Sequence, residues 1–192
     1  MRLIVRWVTS GLFALICAIA LGDEVYHSVR EIPIGGEGGW DILTIDRTAN
    51  RLYLSQATKV VVVDLGKSAV IGVDNTPGVH AFVAVPELQR GFSSNGKEDK
   101  ASVVDLKTLQ TTSKIDTVPN PDAIVYEPKR HEVYVFNHTG NSCTVIDPKS
   151  ARVITTIQLG QSRVCSCGQS CGSDLLQHRR QKRSCGHRHI YT

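Results

Sequence analysis

Between residues 23 and 160 there is a single cysteine, Cys143. No intrachain disulfide can brace that stretch, so its stability has to come from packing. The 192 residues hold one methionine, the first, and aromatics make up only 6%. No segment keeps an apolar stripe at helical spacing, which excludes helix bundles and coiled coils. The longest apolar run, LFALICAIAL at 12–21, is shorter than the ~20 residues a spanning helix needs, so no stable membrane span is expected. No Gly-rich phosphate loop, paired carboxylates or neighbouring nucleophile and base are found, and the reading favours a protein that is not an enzyme and uses no cofactor.

What is present begins with an export signal. Arg2 and Arg6 make a charged start, the apolar core follows, and Ala18-Ile19-Ala20 or Ala20-Leu21-Gly22 offers small residues for cleavage before Asp23-Glu24. Residues 1–22 are therefore read as a signal peptide, giving a periplasmic or secreted protein. Ile16 before Cys17 is too large for a lipoprotein site.

The body repeats. Three segments superimpose: Trp40 to Gly78, His80 to Asn120 and Pro121 to Gly160. Each contains an apolar run closed by aspartate, VVVD, SVVD and TVID, and the aspartates Asp64, Asp105 and Asp147 are 41 and 42 residues apart. A fixed period in this range marks a repeat architecture. Each unit holds four short strand signals; in the third they are AIVYE, EVYVFN, CTVID and RVITTIQ, broken by PKRH, HTGN and PKSA. Val, Ile, Thr and Tyr fill the strands, while Pro, Gly, Asn and Asp fill the breaks. Four antiparallel strands per repeat describe the blade of a β-propeller, so the expected class is all-β. Each repeated aspartate is expected to cap the turn after the third strand by accepting backbone N–H bonds.

GGEGGWDILTID, RGFSSNGKEDKASVVDLKTL and HEVYVFNHTGNSCTVID resemble the YVTN-type (YncE-like) β-propeller repeat family. In that family's signature a second strand of the form V-Y-V-x-N precedes a third strand ending in V-x-D. VYVFN at Val133–Asn137 matches closely; LYLSQ and GFSSN match more loosely. The resemblance covers Glu24 to Gly160. It implies an exported or periplasmic seven-bladed ring of unknown or binding function, of which 23–160 supplies three blades (about 40–78, 80–120 and 121–160). It also implies that His27 to Ile34, which has a strand pattern, completes the final blade of an intact ring. Some relatives of similar architecture handle haem d1 or quinone-linked chemistry, which is the alternative reading.

Composition breaks near Gly160. From Gln161 onward there are six Lys and Arg against Asp174 alone. Removing these from the chain's 22 basic and 18 acidic residues leaves 16 and 17, so the positive balance lies wholly in the tail. The tail also carries Cys165, Cys167, Cys171, Cys185, His187 and His189, enough ligands for zinc but without the paired C-x2-C geometry of common zinc modules. A different cause fits better. Codons built from the last two bases of each residue and the first of the next can spell PEFAVAD, then AAGRIYYNIEDKSEVVAIDTYT, a blade whose closing Asp falls about 41 residues after Asp147. Residues 161–192 are therefore read as a fourth blade translated out of frame. A metal tail, and a nucleic-acid patch at RRQKR, are the lesser alternatives.

Within the body, Trp40 is expected to pack between blades, and Cys143 to be a small core residue. His80, His131 and His138 are expected at the surface or satisfied by polar partners. A three-bladed piece leaves the outer face of its last blade open, including alternate residues of VYVF and TVID, so self-association through open blade edges is expected. The remaining partner is an unidentified protein or small molecule.

Overall fold

The computed structural model describes residues 26–73 and 75–159. The signal segment 1–22 and the tail 161–192, with its cysteines and histidines, lie outside the described residues. Strand pairing begins at Trp40. The first sheet comprises β1 (Trp40–Asp46), β2 (Arg51–Gln56), β3 (Lys59–Asp64) and β4 (Ala69–Val73). The second comprises β5 (Val79–Val85), β6 (Arg90–Asn95), β7 (Lys100–Asp105) and β8 (Gln110–Asp116). The third comprises β9 (Pro121–Glu127), β10 (Glu132–Asn137), β11 (Ser142–Asp147) and β12 (Arg152–Gln158). Each sheet is an antiparallel meander in chain order. The described body is all-β apart from one 3-10 turn at Pro86–Leu88, which is the class the repeat predicts. The strand expected over 27–34 does not form among the described residues; an isolated strand pairs none of its backbone groups, and water can serve them instead.

The turns explain why the repeat keeps its length. After each third strand the chain runs Asp-x-x-x-x, and the fifth residue is left-handed: Ser68 (φ 53°), Leu109 (φ 57°) and Ala151 (φ 55°). The turn between first and second strands closes the same way, at Asn50 (φ 52°), Gln89 (φ 52°) and His131 (φ 54°). These are positions where L-residues pay a steric cost, and the structure meets it three times over at each turn.

The sheets stand with their first strands adjacent. Thr44 Oγ1 on β1 donates to Phe82 O on β5 at 2.7 Å, and the Ser94 hydroxyl on β6 donates to Asp122 O on β9. Between the first two sheets Tyr53, Val60 and Val62 pack on Phe82, Val104 and Leu109. Between the second and third, Val85, Phe92 and Val103 pack on Ile124, Val135 and Ile146. A repeated clamp joins the rims. Arg51 Nη1 donates to Leu106 O at 2.6 Å, and Arg90 Nη1 donates to Pro148 O and Lys149 O at 2.8 and 2.7 Å. In both cases an arginine opening the second strand of one sheet holds the third-strand turn of the next. The corresponding residue in the third sheet is Glu132, which accepts from the Tyr134 hydroxyl instead.

One expectation is corrected here. The outer face of the third sheet is not open: Tyr134, Phe136, Cys143 and Val145 form a cluster no more than 8% exposed. Among the described residues, the apolar groups packed on it come from the same sheet, Ala123, Val125, Ile157 and Leu159. Exposed apolar residues lie elsewhere, at Leu43 and Ile45 of β1 and on the outer strands β4 and β12 (Val70, Ile71, Val153, Ile154).

Candidate functional site

The first strands share a defect at the same place. The register slips between Trp40 and Leu43 on β1, between Val79 and Ala81 on β5, and on β9 opposite Val135–Asn137. A β-bulge leaves a residue out of the ladder, bends the strand and re-aims a side chain, and bulges are enriched beside functional sites. The second residue of each strand falls in this irregular stretch, and all three are polar: Asp41, His80 and Asp122.

Their side chains interact. His80 Nδ1 lies 2.8 Å from Asp41 Oδ2, which links the second sheet to the first. His138 Nδ1, just beyond β10, lies 3.9 Å from Asp122 Oδ2. Between the two couples sits Gly96. A Cβ there would come within 2.7 Å of His80 Nε2 and 2.8 Å of Asn120 Oδ1, so a side chain at 96 would collide with both. Asn120 in turn donates through Nδ2 to Thr139 Oγ1 at 3.3 Å. The result is a polar row across neighbouring sheets, with the four side chains of the two couples between 32% and 64% exposed. It offers carboxylate acceptors and imidazoles to a ligand from solvent. Among the described residues, no three His, Cys, Asp or Glu side chains are grouped closely enough to hold a metal ion.

Trp40 belongs to none of the buried clusters and is 48% exposed. It does not fill the space between blades: it is the first residue of β1, paired with Gln56 ahead of the register slip. The repeated aspartates sit in their turns. Asp64 Oδ1 accepts from Gly66 N and Lys67 N, Asp105 Oδ1 from Lys107 N and Thr108 N, each at 2.7–3.0 Å. Asp147 accepts from Lys149 N at 2.9 Å and from the Ser150 hydroxyl at 2.6 Å. Donors aimed at the ionised form hold two of these carboxyls below their ordinary value, Asp105 chiefly through Thr108 N and Lys107 N, Asp147 chiefly through Ser150. His131 Nδ1 meets the Tyr126 hydroxyl at 3.2 Å, and Cys143 is fully buried on β11.

The closing residue of each second strand is also polar and buried. Asn95 Nδ2 donates to Ser102 Oγ at 2.7 Å, and Asn137 Nδ2 to Ser142 Oγ and Thr144 Oγ1 at 3.1 and 2.9 Å. The corresponding Gln56 reaches Gly35 O at 3.3 Å. The final Asn of the V-Y-V-x-N pattern thus pins the hairpin between second and third strands from inside.

No family model matches the chain. Over 121 residues it is 26% identical to the "Uncharacterized protein YncE" of Salmonella typhi, an alignment covering 59% of this chain and 34% of that protein. The hydrazine synthase of Kuenenia stuttgartiensis is similar in structure, with a TM-score of 0.59 and 20% identity over 68% of this chain and 39% of that one. AztD of Citrobacter koseri follows at a TM-score of 0.55 and 16% identity, covering 68% and 38%. The fold is that of β-propeller blades, and the sequence is similar to YncE. The chain spans about a third of the curated relative it matches, and its likeness to the solved structures concerns the fold.

Proposed function

We propose that this YncE-like chain is an exported, non-catalytic binding module, and that the row Asp41–His80, Asn120, Asp122–His138 is where a protein or small molecule docks. The observation that carries the reading is the Asp41–His80 couple, set across two sheets at bulged positions and open to solvent. Export rests on the charged start, short apolar core and small residues of segment 1–22.

Two measurements test it. Fusing residues 1–22 to a reporter active only outside the cytoplasm should give signal, and a silent reporter removes export from the proposal. For binding, a panel of short peptides and organic acids is screened by thermal shift on the whole chain. A ligand of the row should lose its shift in Asp41→Asn and His80→Gln. A panel without any hit that depends on these two residues counts against the assignment of the row.

A further inference from the structure

The opposite ends of the same strands carry a different site. Five residues along β1 from Asp41, about 16 Å at the usual strand rise, Asp46 lines a cleft of about 440 Å³ between the first and second sheets. Its walls come from the turn after β1 (Thr48), the first residue of β2 (Arg51), the 3-10 turn before β6 with the residue that caps it (Pro86, Gln89) and the turn after β7 (Leu106, Lys107).

Asp46 is the unusual member. Its Oδ1 accepts from Thr48 N at 2.8 Å, Ala49 N at 3.2 Å and Thr48 Oγ1 at 2.5 Å. Its Oδ2 is buried with no hydrogen-bond partner, in a residue only 6% exposed. A buried carboxylate oxygen without a donor is costly and calls for a group the chain itself does not supply. The turn closes without a carboxylate in the second sheet, where Val85 stands at the same place, while Glu127 of the third accepts from Lys129 N. Nor is it the only charge in the cleft. Arg51 uses one nitrogen on Leu106 O, and Lys107 is exposed with no ion pair among the described residues.

We infer that this cleft binds a small zwitterion of amino-acid to dipeptide size, its ammonium donating to Asp46 Oδ2 and its carboxylate facing Lys107 and Arg51. The charge pattern excludes the simpler classes. A plain anion leaves Asp46 unpaired and is repelled by it, a plain cation is repelled by Arg51 and Lys107, and a neutral molecule leaves ionic groups unmatched. The volume lies at the lower end of the range for small-molecule pockets, roughly 300–1,000 Å³.

The test is a thermal-shift and calorimetric titration of the whole chain with glycylglycine, run beside its capped form, N-acetyl-glycylglycine amide. The site predicts saturable binding of the first and none of the second. Lys107→Gln, on an exposed side chain, and Asp46→Asn, which keeps the Oδ1 cap, should each weaken binding tenfold or more. Lys149→Gln, at the corresponding turn of the third sheet, should leave it unchanged, and so should His80→Gln, which separates this site from the polar row. Absence of saturable binding, equal binding of the capped peptide, or undiminished affinity in Lys107→Gln overturns the inference.

Discussion

The ring of Tyr53 in the first sheet stacks on Phe82 of the second, with centroids 4.5 Å apart and planes inclined at 25°. The phenol oxygen is buried without a well-formed hydrogen bond, and burial pushes its pKa up against the weaker pull of the Arg51 guanidinium beside it. The ring therefore stabilises while the hydroxyl does not. Tyr53→Ala should cost about 3–5 kcal/mol in urea unfolding, whereas Tyr53→Phe should be neutral or stabilising, because it deletes an unpaired polar group. A loss above about 1 kcal/mol in Tyr53→Phe would show that the hydroxyl has a partner.

Asp147 gives a prediction in pH. Its folded-state pKa lies below the ordinary 3.8, through Ser150 first and Lys149 N second. A depressed carboxylate contributes stability that is present above the unfolded value and is lost as pH falls through the folded one. The melting temperatures of wild type and Asp147→Asn should thus differ at neutral pH and converge on acidification below 3.8. Parallel curves down to about pH 2 would mean that the turn does not sense the charge.

Ser68 holds φ at 53° in the turn where glycine is freest. Ser68→Gly should raise stability by up to about 1 kcal/mol, the steric relief exceeding the added entropy of the unfolded chain. A lowered melting temperature would refute this.

Arg90 donates to two backbone carbonyls of the next sheet. Arg90→Met keeps the apolar stem and removes the donors, so about 1.5–3 kcal/mol should be lost in urea unfolding. An unchanged midpoint would show that the rim is held by the apolar contacts alone.

The period was readable from Asp64, Asp105 and Asp147 because each aspartate acts on its own turn, two and three residues away, and leaves a local signature. The strands were readable from β-branched runs between turn residues for the same reason. Asp46 was harder to find: it opens a turn as the others do, but no aspartate answers it at Val85. The Asp41–His80 couple was invisible, since its partners are 39 residues apart and a bulge has no composition of its own. The arginine clamps reach 55 to 59 residues along the chain, and neither end carries a motif. Trp40 was misplaced because a large aromatic beside a strand start suggests packing, while its exposure depends on which side of the sheet has a neighbour.

Both clamps point the same way in time as well as in space. Arg51 emerges 55 residues ahead of the carbonyl it will hold, and Arg90 emerges 58 ahead of its first acceptor. At about 5–20 residues per second of synthesis, each guanidinium stays in water for several seconds before its acceptor exists. The rims of the first two sheets are thus each latched by the sheet made after them, so the Arg51 clamp can close before the Arg90 clamp has its acceptor.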